Sequence, residues 1–146
     1  MNPEINNRYG TIIEHQASGF NLDNVANELS ILKEFIVKAI LLESKDLEPI
    51  LCIIRAVDRL NGKIIKKIYS KNYSFMKEEN LSKFNLSPGA IPPFIGFQLN
   101  FTTFIDTKIS TDHFYYGSGG SVFNACKFTL SNYSQLGAKL IKLTID

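Results

Sequence analysis

Tryptophan is absent from this 146-residue chain, and cysteine, histidine and methionine occur only twice each. No apolar run approaches the ~20 residues needed to cross a bilayer. Two cysteines are too few for the disulfide framework of a small secreted domain. Cys52 and Cys126 each sit inside an apolar segment, so they read as buried free thiols in a reducing compartment. The histidines, His15 and His113, lie far apart with no cysteine or carboxylate at ligand spacing beside them, which argues against a metal centre. Neither metal nor cofactor is expected. Charge of one sign is also scarce: 16 Lys and Arg against 14 Asp and Glu leave a formal +2, a balance that permits a polyanionic partner without demanding one. Met1 to Arg8 is polar and Asn-rich, without the basic start and apolar stretch of a secretory signal. A soluble, cytoplasmic protein with no membrane partner is expected.

What the chain does have is bulk. Hydrophobic residues make up 45%, and 11 Phe and 6 Tyr replace the missing tryptophan, so a packed globule with one core is expected over residues 1–146. Asp23 is placed as the cap of a helix through Val25, Ala26 and Leu29 that ends near Ser30. Phe35 to Leu42 and Ile50 to Val57 are nearly continuous apolar runs around the charged turn Glu43 to Asp46, and predict two central strands. Lys63 to Lys71 predicts an amphipathic helix, with Ile64, Ile65 and Ile68 inward and Lys63, Lys66, Lys67 and Lys71 outward. A short strand at Tyr73 to Met76 and a helix over Lys77 to Phe84, stopped at Asn85, follow. The pattern then turns to strands at Phe101 to Ile105, His113 to Tyr116 and Ala125 to Leu130. A helical turn capped by Ser131 and an edge strand over Lys139 to Ile145 complete the chain. The fold class is α+β, with a mixed, mainly antiparallel, barrel-like sheet and flanking helices.

Two glycine-rich loops stand out: Gly89-Ala90-Ile91-Pro92-Pro93-Phe94, and Gly117-Ser118-Gly119-Gly120. Consecutive backbone N–H groups in such loops can converge on an anion or a developing oxyanion. Tight turns are the commoner use of the same residues. A Ser118, His113 and Asp106 triad can be assembled on paper, but no nucleophile-elbow pattern supports it.

In the order of these features the chain resembles the YbaK and prolyl-tRNA synthetase editing-domain family of aminoacyl-tRNA deacylases. A capped helix leads to Lys33 opening a central strand; then come the Gly-x-x-x-Pro loop at Gly89 to Pro93, an Ile-Asp strand end and the Gly-Ser-Gly-Gly turn. The resemblance runs from about Glu14 to the C-terminus. It implies a single editing domain that hydrolyses the ester of a small misattached amino acid in trans, on tRNA specific for proline. Mischarged tRNA is the implied partner, and a synthetase a further one. Lys33 is implied as the catalytic contact near the 3′-terminal adenosine. Gly89, Ala90, Ile91, Pro92 and Pro93, with Gly117, Ser118, Gly119 and Gly120, and with Asp106 and His15, are implied to hold the substrate. Lys63, Lys66, Lys67 and Lys71 are assigned to acceptor-stem phosphates, against the plainer reading of a solvated helix face. Lys38 is placed on the opposite side of the Lys33 strand, and Asp106, read from residues alone, orders the loop after its strand.

Two departures from the family motivate a second reading. Glu34 follows Lys33 where a small polar residue is expected, and Ile13 stands two residues before His15 where some members carry an aromatic hydroxyl. The alternative is a non-catalytic module that kept the fold and binds aminoacyl-tRNA or a synthetase.

Overall fold

Ile50 to Ile54 is a run of five consecutive apolar residues, and the fold buries all of them. Strand alternation sends Leu51 and Ile53 into one hydrophobic cluster and Ile50, Cys52 and Ile54 into another on the opposite face. The computed structural model describes residues 8–145. Strand β1 is Thr11–Glu14, helix α1 Leu22–Leu29, β2 Val37–Ser44, β3 Leu47–Arg55, α2 Gly62–Tyr69, β4 Ser74–Phe75, α3 Glu78–Lys83 and α4 Ile95–Leu99. Then come β5 Thr102–Asp106, β6 Phe114–Ser118, β7 Asn124–Thr129, α5 Leu130–Gln135 and β8 Lys139–Ile141.

These strands form two sheets. The larger runs β4-β2-β3-β5-β8 and the smaller β1-β7-β6. β2 and β3 are an antiparallel hairpin from Val37 opposite Arg55 to Ser44 opposite Leu47. Its turn is closed by Asp46 in the left-handed region at φ 64°. β5 lies parallel to β3, and β8 parallel to β5; the other pairings are antiparallel. A parallel bridge from Ile36 to Tyr116 ties the start of β2 to β6. The main core takes Val37, Leu41, Leu51, Ile53 and Ile105 from the larger sheet and Ile12, Tyr115, Cys126 and Phe128 from the smaller. Phe128 and Tyr133 stack there at 4.2 Å between centroids. On the other face of the larger sheet, α2 covers Leu42, Cys52 and Ile54 with Ile65, while α1 covers Ile36 with Val25 and Ala26.

The α+β class and mixed strand directions agree with the sequence reading, although the strands divide between two sheets. Local details differ. Phe35 to Leu42 is not one strand: Lys33–Phe35 is a single 3₁₀ turn and β2 starts at Val37. The cap of α1 is Asn21, which accepts from the Asn24 amide at 3.1 Å, and not Asp23. Thr129, not Ser131, caps α5. Ile68 is 47% exposed, so the buried stripe of α2 is narrower than its spacing suggests. β8 ends at Ile141. Helix α4, which carries no capping side chain, has no expected counterpart. Both cysteines are free and buried, and among the described residues no helix is long and apolar enough to cross a membrane.

Candidate functional site

The 3₁₀ turn closes with the Ile36 amide donating to the Lys33 carbonyl at 3.0 Å, and Phe35 packs beside His113 and Tyr115 at 4.5 and 5.7 Å. This fixes where β2 begins. At the seam where β2 meets β6 and α1, a cleft of about 310 Å³ opens, lined among others by His15, Phe20, Lys38, Gly89, Ile91 and Asn124.

Lys38 is the only lysine in that lining. By alternation it shares a face of β2 with Ile40 and Leu42, the residues that lie under α2. Lys33 is elsewhere. Its Nζ lies 3.0 Å from the Asp23 carboxylate, both side chains are largely exposed, and it is not among the cleft residues. A surface pair of this kind contributes about 0–1 kcal/mol. The placement of Lys33 at a strand start, and of Lys38 across from it, is therefore corrected: one residue belongs to a turn, so counting alternate faces between them has no meaning.

Of the first glycine loop, Gly89 and Ile91 line the cleft, while Ala90, Pro92 and Pro93 are buried. Gly89 sits at φ +77°, which favours glycine, and a Cβ there would also push the exposed Phe20 ring aside. Prolines have no N–H, and the Ala90 amide donates to the Ser87 carbonyl at 3.1 Å. The Gly89 and Ile91 amides have no acceptor among the described residues. The second loop differs. Gly117 and Ser118 belong to β6 and line the cleft, whereas Gly119 and Gly120 do not. Its amides are used internally: Gly119 N–H donates to Asn124 O at 3.3 Å, Gly120 N–H to Ser118 Oγ at 3.0 Å, and Ser121 N–H to Asn124 Oδ1 at 3.0 Å. A convergent anion nest at Gly119 and Gly120 is thus corrected, because their donors are already satisfied.

His15 is buried, with Nδ1 hydrogen-bonded to the Ala17 carbonyl at 2.6 Å. The loop after it is clamped by the Glu28 carboxylate, which accepts from the Gln16 amide at 2.8 Å and the Ala17 amide at 2.9 Å. Those hydrogen bonds, ahead of the nearby His15, hold the Glu28 carboxyl below its ordinary range. Asp106 is not in the cleft. Fully buried, it accepts from the amides of Leu143 at 2.7 Å, Thr144 at 3.2 Å and Lys108 at 3.1 Å. It ties down the C-terminal segment as well as its own loop. His113 is exposed against Phe35, and Ser118 Oγ donates to the Ser121 carbonyl, so the three paper-triad residues do not assemble. Among the described residues, no three or more His, Cys, Asp or Glu side chains gather as a metal site.

The model of the aminoacyl-tRNA editing domain matches residues 17–124. The chain belongs to the aminoacyl-tRNA editing domain family. Solved structures of the same fold include a proposed trans-editing enzyme for prolyl tRNA synthetase, 17% identical, with a TM-score of 0.86 over 99% of this chain and 94% of that one. A hypothetical protein, 18% identical, superposes with a TM-score of 0.84 over 98% of this chain and 97% of that one. A proposed signal transduction protein from Marinobacter aquaeolei VT8, 13% identical, gives 0.68 over the whole of this chain and 31% of its own. No curated protein matches.

Within this editing domain neither Glu34 nor Ile13 lines the cleft, so the two departures that motivated a binding-only module lie away from the candidate site. Lys63, Lys66 and Lys67 are exposed on α2, and Lys71 follows its Ser70 C-cap. That helix packs on the sheet face that Lys38 shares. Lys38, Phe20 and Asn124 were missing from the sequence-derived site. One signal pointed to Lys38: it is the only charge between Phe35 and Leu42.

Proposed function

We propose that this protein is a trans-acting aminoacyl-tRNA deacylase that hydrolyses the ester of a small misattached amino acid, with tRNA specific for proline as substrate. The observation that carries this reading is a cleft lined by one lysine, Lys38, and by two residues, Gly89 and Ile91, whose amides have no acceptor among the described residues. An aminoacyl ester is already activated, so holding it and stabilising the carbonyl oxyanion supply much of the catalysis. In this scheme Lys38 clamps the negatively charged 3′-terminal nucleotide and the two amides receive the oxyanion. The cleft volume of about 310 Å³ is at the small end of ligand sites, in keeping with a small amino acid. The proline assignment draws on the family and on the role proposed for one structural relative. Exposed Lys63, Lys66, Lys67 and Lys71 take acceptor-stem phosphates.

The test is release of labelled amino acid from tRNAs mischarged with Ala, Cys, Ser or Thr. Wild type and Lys33→Ala release it, and Lys38→Ala does not. Release by Lys38→Ala at the wild-type rate overturns the role of Lys38. Silence of the wild type across the panel overturns the deacylase.

A further inference from the structure

Among the side chains lining the cleft, His15 alone is of a type that titrates near neutrality, and its ring is held in an unusual way. The residue is only 7% exposed. Its Nδ1 faces the Ala17 carbonyl, an acceptor only, so Nδ1 carries the proton and the neutral ring keeps its lone pair on Nε2. Nε2 has no partner among the described residues. Yet no buried side-chain nitrogen or oxygen lacks a partner among them. Nε2 is therefore the part of the ring that reaches the surface, and the surface that His15 borders is the cleft.

The surrounding chain makes this orientation rigid. The His15 amide donates to the Phe123 carbonyl at 2.9 Å, the Gly19 amide to the Val122 carbonyl at 2.6 Å, and Glu28 grips the Gln16 and Ala17 amides between them. Glu28 from α1 interacts electrostatically with His15, and the other titratable or charged side chains of the cleft lining are Lys38 from β2 and Tyr116 from β6. β7 brings the neutral Asn124, and the 89–91 loop no ionisable side chain.

We propose that His15 Nε2 is the general base of the hydrolysis, an inference that rests on the deacylase reading above. The oxygen of a water attacks the ester carbonyl carbon while its proton passes to Nε2. The tetrahedral intermediate, its oxyanion on the Gly89 and Ile91 amides, then collapses with cleavage of the bond between carbonyl carbon and ribose oxygen. The imidazolium returns the proton to that oxygen. The products are free amino acid and tRNA with its ribose hydroxyl restored, and His15 is neutral again.

The experiment is the pH profile of amino-acid release for wild type, His15→Asn and His113→Asn. Asparagine keeps a donor for the Ala17 carbonyl and has no basic nitrogen. The expected result is a wild-type rate that falls on the acid side with a single protonation, kept by His113→Asn. His15→Asn loses about 10²–10⁴-fold in kcat, the range for one general base, and loses the acid limb. Histidine ring NMR of the wild type, with His113→Asn to assign the signals, places the titration of His15 on that limb and does not depend on the fold of any His15 variant. Hydrolysis by wild type with His15→Asn inside threefold and the limb unchanged overturns the general base and leaves the deacylase standing. A ring titration that does not coincide with the limb does the same. No hydrolysis by wild type overturns both.

Discussion

Gly117→Ala tests how the two glycine-rich segments build one wall. Gly117 lies in β6 opposite Cys126, where its backbone is ordinary strand, so the cost of a methyl group is steric alone. A Cβ at this position would sit 2.7 and 2.8 Å from Pro93 Cγ and Cδ and 3.1 Å from Val37 Cγ2. Carbon contacts are comfortable near 3.5 Å, so the proline ring has to retreat by about 0.8 Å. Neither neighbour yields easily: the proline ring is rigid, and Val37 is 5% exposed in the main core. Overpacking of this kind costs about 1–3 kcal/mol, which at roughly 3 °C per kcal/mol lowers Tm by about 3–9 °C. The same retreat shifts the loop bearing the Gly89 and Ile91 amides, and a misplacement approaching 1 Å costs up to about 100-fold in rate. Gly62→Ala is the control: nothing lies within 4 Å of its Cβ, and as the first residue of α2 it gains about 0.4–1 kcal/mol. Thermal unfolding by circular dichroism and amino-acid release are both read. Equal Tm and equal activity in the two variants would refute the steric argument.

Asp106→Ala leaves the Leu143, Thr144 and Lys108 amides without their acceptor. At about 1–3 kcal/mol per unsatisfied buried group, a loss of roughly 3 kcal/mol or more is expected in urea unfolding, with hydrogen exchange rising first at Leu143 and Thr144. Lys63→Ala with Lys66→Ala and Lys67→Ala is expected to weaken tRNA binding and flatten the dependence of log affinity on log salt, by about 0.9 for each phosphate no longer neutralised; an unchanged slope removes α2 from the interface. Burial pushes the Cys52 thiol up to about 12 and the Cys126 thiol to about 11. Both stay protonated below about pH 9, so a thiol reagent at about pH 8 finds no reactive group in the native protein and two after denaturation. Rapid labelling of the native state would contradict the placement of both side chains.

Much of the secondary structure was legible because it depends on local chemistry. The apolar, Ile-rich run at Ile50 to Ile54 beside a charged turn reads as a central strand, and Asn61-Gly62 opens α2 by an ordinary side-chain cap. Both predicted caps were placed two residues too late: Asn21 took the role given to Asp23, and Thr129 that given to Ser131. Of the candidate cleft, the sequence named His15, Gly89, Ile91, Gly117 and Ser118, and missed its charge. The resemblance pointed to Lys33, which sits in a 3₁₀ turn outside the cleft lining, whereas Lys38 enters that lining from β2, which begins only at Val37.

Composition and short-range periodicity were enough to dictate an α+β globule with buried thiols, a basic helix and two loops shaped by glycine and proline. Which lysine faces the cleft was settled only by long-range packing, because the 3₁₀ turn before β2 sets Phe35 against His113 and Tyr115 from a segment nearly eighty residues away. The same holds for the backbone amides that lack an acceptor. A carbonyl or side chain that satisfies an N–H is chosen by proximity in space, and Asn124 and Ser118 claim the amides of Gly119, Gly120 and Ser121 only once β6 and β7 have paired.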